Sequence, residues 1–415
     1  MARTSVRNHR AGGMLAAAVL VALAFTVTLA APAFARSGRV GPDRPATGWT
    51  PAQTAGRLLG AGFVRHGIWD VQSTGILVYT MQDAAPGMTL TANDATGKTA
   101  WSAASGDIEA ASGKLPAAFI AEFTDPDPNV LRSGDLVAKN ADGTTRFHKT
   151  FKNEFVEPLC DTASRLVWAE VSAKAVTRVF VRQGSTTRSV ALPYRAPKAG
   201  FTNPASSSAD GGRLVLGAFT SRASKWRTMV YWVKVSRAGV PSIVSHAVTD
   251  WVGASLTPSG DKAAVLTSDG LGDGPNWWVS FGKFHGRMLP GNDAGMMDAS
   301  EQRIFEQGAY SFGGDSVSWG ATTVEVFDRS LMAQYKRTWT FDDASSSMWF
   351  RHDASIDRLA GVDNAGALTV INVDSWAITT VPGKYADAVP MADGRLATMT
   401  PDGTLAFIPD PVPNP

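Results

Sequence analysis

From residue 66 to residue 409 the chain repeats one theme, in which short runs of β-forming residues arrive in groups of about four. Ile76–Gln82 (ILVYTMQ), Arg165–Val171 (RLVWAEV), Thr228–Val235 (TMVYWVKV) and Ala367–Val373 (ALTVINV) are typical runs. Asp-Gly, Ser-Gly and Asn-Ala-Gly turns separate them, which is the signature of strands joined by hairpins. The groups begin near residues 66, 107, 155, 199, 250, 296, 345 and 385. Their spacing is about 45 residues, the period of a four-stranded repeat. One such sheet cannot bury both faces, whereas a ring of them buries every inner face and leaves only short edges.

The pattern therefore predicts an all-β propeller over residues 55–410, with seven or eight four-stranded blades, eight being favoured. The last group holds only three runs, YADAVP, GRLATMT and TLAFIP. Arg57–Arg65 (RLLGAGFVR) is expected to supply the missing strand and close the ring by joining the two chain ends in one blade. The best helical candidate, Pro51–Leu59, is short.

Leu90–Trp101 (LTANDATGKTAW) resembles the repeat of quinoprotein-type propellers, in which an Ala-x-Asp segment precedes Thr-Gly and a Trp on the next strand. The resemblance implies that Asp94 fixes the turn, Gly97 takes positive φ and Trp101 packs between blades. Residues 208–216 (SADGGRLVL), 257–265 (TPSGDKAAV), 353–362 (DASIDRLAGV) and 391–399 (MADGRLATM) are similar to the Ser-x-Asp-Gly-x-x-Leu turn of TolB-like and WD-repeat propellers. These likenesses span most of residues 60–409 and speak for fold more than for function.

The first 35 residues read as a secretory signal. Arg3, Arg7 and Arg10 precede an uncharged apolar run over 14–31, and Ala33-Phe34-Ala35 is a small-x-small cleavage site. No Arg pair or Cys points to folded export or to a lipid anchor. No later run of about 20 apolar residues could span a bilayer. Residues 36–54 form a polar linker and 411–415 a Pro-rich, extended tail. The whole chain has 39 basic and 37 acidic residues. Without the signal's three Arg the balance is 36 to 37, which gives no basic footprint for nucleic acid. The expected product is a secreted, extracellular monomer with no membrane span after cleavage.

Chemistry-bearing motifs are sparse. His66, His148, His246, His285 and His352 fall in no metal-ligand spacing. There is no Gly-x-Ser-x-Gly elbow and no phosphate loop. Cys160, the single cysteine, reads as a small buried hydrophobe. It cannot form the adjacent-cysteine pair that quinoprotein dehydrogenases place against their quinone. The most unusual link is Thr267–Trp278 (TSDGLGDGPNWW). Asp269, Asp273 and Asn276 place oxygen ligands at i, i+4 and i+7 among Gly and Pro, so calcium is the one metal this link suits; otherwise it is a long hairpin turn. No other cofactor is expected. Trp277 and Trp278, adjacent on a strand, point to opposite faces: one into the inter-blade core, the other toward a blade contact or a ligand-stacking surface. The sequence thus favours a non-catalytic binding or scaffold module for an extracellular protein or glycan. The alternative is an extracellular propeller enzyme, either a hydrolase or lyase on a polymer or a quinone-dependent oxidoreductase. That enzyme would gather charged residues at one mouth from links such as 83–88, 124–134, 267–276 and 312–322.

Overall fold

The structure, a computed structural model, describes residues 64–412 except 83–86, 126–130, 173–175, 196–200, 220–227, 268–274, 290–295, 315–316 and 342–347. The expected signal, linker and helical candidate lie outside the described residues. Every described regular element is a β-strand, and no helix among the described residues is long and apolar enough to cross a membrane.

The described strands form seven antiparallel sheets, one of them seven-stranded; dividing that sheet within Thr145–Asp161 gives eight successive units. Unit 1 is Val64–Gln72, Gly75–Gln82, Met88–Asp94 and Thr99–Ser105. Unit 2 is Asp107–Ser112, Ala118–Phe123, Arg132–Lys139 and the first part of Thr145–Asp161. That strand continues as the first of unit 3, followed by Arg165–Val171, Val176–Gln183 and Thr186–Arg195. Its pairing switches between Glu154 and Phe155. Asn153 sits at the switch with φ 56°, a left-handed conformation that Asn tolerates better than most residues. Unit 4 is Phe201–Ser207, Arg213–Phe219, Thr228–Val235 and Pro241–Thr249. Unit 5 is Trp251–Leu256, Lys262–Thr267, Trp277–Ser280 and the two-residue Arg287–Met288. Unit 6 is Met296–Ala299, Arg303–Gly314, Val317–Asp328 and Ala333–Phe341. Unit 7 is Met348–His352, Arg358–Asp363, Leu368–Asn372 and Ile378–Val381, and unit 8 is Asp387–Pro390, Arg395–Met399 and Leu405–Pro409.

Each junction between consecutive units holds an apolar cluster, and so does the junction of unit 8 with unit 1. At that last junction Ile68, Val71 and Ile76 pack against Val389, Met391, Ala397 and Met399. The fold is a β-propeller whose hydrophobic core lies between the blades. Two features of the sequence reading are corrected. Val64 and Arg65, expected in the closing strand Arg57–Arg65, instead open the first strand of unit 1, opposite Gln82 and Met81. They already have backbone partners there, and residues 57–63 lie outside the described residues. The link expected at 312–322 is mostly strand, because unit 6 extends its central hairpin until Gly314 faces Val317.

Up-and-down order places the first-to-second and third-to-fourth turns of every unit at one end. At this end the residue opening the second strand often bridges to the next unit. Arg165 donates to the Asp210 and Ser236 carbonyls, Arg213 pairs with Asp261, Arg303 with Asp357 and Asp374, and Arg358 with Asp410. Asp94 accepts from Thr96 and Lys98 across its turn while Gly97 takes φ 88°. Trp101 is buried and donates to the Pro116 carbonyl at 2.8 Å. The quinoprotein-like repeat therefore takes the local geometry that its residues imply.

The innermost strands are joined by buried polar contacts. Arg351 of unit 7 meets Asp387 of unit 8 at 3.1 Å, and also donates to the carbonyls of Ile68 and Trp69 in unit 1. Asp387 in turn accepts the Ile68 amide at 2.9 Å. Both side chains are nearly inaccessible. Arg351→Met should therefore strand a buried carboxylate and cost about 3–5 kcal/mol in urea unfolding. Adding Asp387→Leu should recover part of that loss, and strictly additive losses would refute the coupling.

The turn carboxylates respond to acid. Hydroxyl donors from Thr96, Thr144, Ser330 and Thr400 hold Asp94, Asp142, Asp328 and Asp402 below the ordinary value of 3.8. Their contribution is complete above the unfolded pKa and is lost as pH falls from 3.8 through the lower folded values. Replacing all four with Asn should flatten the acid limb of a melting-temperature profile and leave its neutral part parallel to wild type.

Candidate ligand groove

Unit 5 departs from its neighbours in its outermost strand. Arg287–Met288 has two residues, against nine in Pro241–Thr249 of unit 4. Phe281–Gly286 separates it from the third strand. The ladder contains only two pairs, Trp277 with Met288 and Trp278 with Arg287. Such brief pairing leaves the outer side of the third strand partly uncovered.

A groove of about 280 Å³ lies between the end of unit 4 and the paired end of this strand, with the Phe281–Gly286 segment on one side. Ala247, Val248 and Thr249 form one wall, at the end of unit 4. Asp250 and Trp251 follow as the link into unit 5, and Pro275, Trp277, Phe284 and His285 complete the lining. Trp251 is fully buried and sets the floor. Trp232 meets it edge-on at 5.9 Å and Phe284 tilts against it at 5.6 Å. Trp277 is half-buried, with His285 edge-on at 6.3 Å. The backbone at both rims is fixed: Thr249 Oγ1 accepts the Trp251 amide, and Thr267 Oγ1 donates to the Pro275 carbonyl at 2.6 Å. Asp250 and His285 are exposed, so among the described residues this surface combines indole and phenyl groups with one carboxylate, one imidazole and one hydroxyl.

Trp278 faces the other way. It is 3% exposed and packs with Ala264, Leu289, Met297 and Phe327 between units 5 and 6, with Lys262 Nζ 5.5 Å from its ring centroid. Of the two tryptophans singled out in the sequence, only Trp277 lines the groove. Asp269 and Asp273 lie outside the described residues. Asn276 is fully buried; its Nδ2 faces Glu306 Oε1 at 3.5 Å, and its Oδ1 has no hydrogen-bond partner among the described residues. No cluster of three or more metal-ligating side chains occurs among the described residues. Asp250, Phe284 and His285 were not expected as groove residues. Their signal was positional, since the segment FGKFHG delays the return of the outer strand.

Elsewhere the polar side chains of the inner strands bridge units. Ser255 of unit 5 donates to Asp298 Oδ1 of unit 6, whose Oδ2 lies 3.5 Å from His352 Nε2 of unit 7. The residue types are those of a hydrolytic triad, but the carboxylate stands between serine and histidine. Ser207 donates to the Leu159 carbonyl, and Gln307 accepts the Phe350 amide. Asp107 pairs with Arg132 within unit 2. Cys160 is buried, with Sγ 4.0 Å from the Ser208 carbonyl.

No protein-family profile and no curated protein matches the chain. Solved structures with a similar path include hydrazine synthase of Kuenenia stuttgartiensis, at TM-score 0.41 and 11% identity over 81% of this chain and 93% of that one. The WD40 domain of SCAP from fission yeast gives 0.46 and 8%, over 80% and 92%. The dihydro-heme d1 dehydrogenase NirN in complex with DHE gives 0.44 and 10%, over 74% and 64%. No residue role or activity carries over at these similarities.

The two adjacent tryptophans should separate in stability. Trp278→Ala should cost about 3–5 kcal/mol in chemical unfolding, the range for emptying a large aromatic site in a core. Trp277→Ala should cost less than Trp278→Ala, because Trp277 is only half-buried against the cluster between units 4 and 5. Equal losses would contradict the opposed orientations.

Proposed function

We propose that the protein is exported, loses residues 1–35, and acts outside the cell as a non-catalytic binding module. The observation that carries this reading is the groove beside the truncated outer strand of unit 5, which leaves Trp277 partly open to solvent. Ligand sites are concave and mostly apolar, with a few placed polar groups, and this surface has that composition. The ligand is an extracellular protein or glycan, held by the aromatic wall and oriented by Asp250 and His285. The enzymatic alternative needs free charged groups from several units converging at one mouth. The links expected to supply them, 83–88, 124–134 and 267–276, lie largely outside the described residues; among the described residues Asp298, Asp387 and Asp107 face partners within the protein.

The test is recovery of extracellular material on the immobilised chain beginning at residue 36, compared with Trp277→Ala and His285→Ala. Wild type should retain a reproducible ligand that both variants lose while remaining cooperatively folded at the assay temperature. Retention by the variants, or no retention by any form, would overturn the proposal.

A further inference from the structure

Resting on the groove as a binding site, we infer that its ligand is an uncharged carbohydrate, one pyranose ring of which stacks on Trp277. Three observations lead to this class. The first is the shape of the aromatic surface. Trp277 lies at the edge of a two-pair ladder, and His285 approaches its ring edge-on. The C–H face of a pyranose is apolar and nearly flat, and it gains most from an aromatic surface of that kind.

The second observation is the placement of polar groups. The Asp250 carboxylate only accepts, His285 offers a ring nitrogen of each kind when neutral, and Thr249 adds a hydroxyl. All three line the groove with Trp277. A sugar presents hydroxyls around the rim of its apolar face, and each can donate to the carboxylate or bond with imidazole and hydroxyl. An apolar side chain would leave those rim groups without partners.

The third observation is charge and size. Among the described residues Asp250 is the one carboxylate in the lining, and no Lys or Arg accompanies it. Uronate, sulfate or phosphate groups would meet repulsion without compensation, so anionic glycans are disfavoured. A volume of about 280 Å³ falls just below the usual range for drug-sized ligands. It suits one ring held inside while the rest of a chain lies across the surface.

The test uses the chain from residue 36 and isothermal titration with four defined probes: cellotetraose, chitotetraose, tetragalacturonate and an extended neutral tetrapeptide. At least one neutral tetrasaccharide should bind, and tetragalacturonate should bind about tenfold more weakly or not at all. Trp277→Ala should weaken the neutral sugar about tenfold or more, Trp277→Phe should retain part of the affinity, and Asp250→Asn should narrow the gap between neutral and anionic sugars. Trp376→Ala removes another exposed indole, 57% accessible and outside the groove, and should change nothing. The inference is overturned if neither neutral sugar binds, if the anionic sugar or the peptide binds best, or if Trp277→Ala binds like wild type. Should all sugars fail while extracellular material is still retained through Trp277, the carbohydrate assignment falls and the binding role stands.

Discussion

Arg351 reaches out of unit 7, meets Asp387 in unit 8 and ends on the carbonyls of Ile68 and Trp69 in unit 1. Asp387 completes the arrangement by taking the Ile68 amide. Three units therefore share one buried polar contact at the seam where the ends of the repeat meet. A buried ion pair is seldom a large net source of stability, because both charges give up water. Its value here is geometric. The apolar cluster of Ile68, Val71, Val389 and Met399 could slide, whereas a carboxylate that must serve an amide and a guanidinium together fixes how units 8 and 1 meet. The inner strands of units 3 to 7 repeat this solution with weaker groups, through Ser207, Ser255, Asp298 and Gln307.

The architecture was legible because two periods coincide in the sequence: alternation within a strand, and a recurring turn between strands. Asp94 and Gly97 show why the turns could be read, since the carboxylate binds its own loop and the glycine takes the left-handed position. Leu331 and Trp376 take positive φ in the corresponding turns of units 6 and 7, where no glycine marks the place. Only the end of the expected closing strand is reassigned, since Val64 and Arg65 pair with Gln82 and Met81, while residues 57–63 lie outside the described residues. The Arg351–Asp387 contact was not legible, as its partners are far apart in sequence and no short motif announces them.

The candidate site was half visible. The Trp-Trp pair stands out in any reading, and strand alternation requires its members to diverge. The direction each ring takes depends on the neighbouring units, which sequence alone does not place. His285 falls in no metal-ligand spacing, and its place edge-on to Trp277 beside the two-residue strand is visible only in the structure. The groove is walled by the end of unit 4 and by Phe284 and His285 of the segment ahead of the two-residue strand, and a pattern search for ligand residues does not register that placement.

The Ile68–Asp387 bond joins positions 319 residues apart, and that distance gives the molecule an order in time. A chain is made from its amino terminus, and its parts fold as they become available. Unit 1 is among the first described parts to emerge, yet its face bearing Ile68 and Val71 has no cover until unit 8 follows. During that interval an apolar sheet face stands open, and loop-closure entropy opposes the contact that will cover it. The same residues that complete the propeller are thus its longest-lasting exposure to wrong partners while the chain is being made.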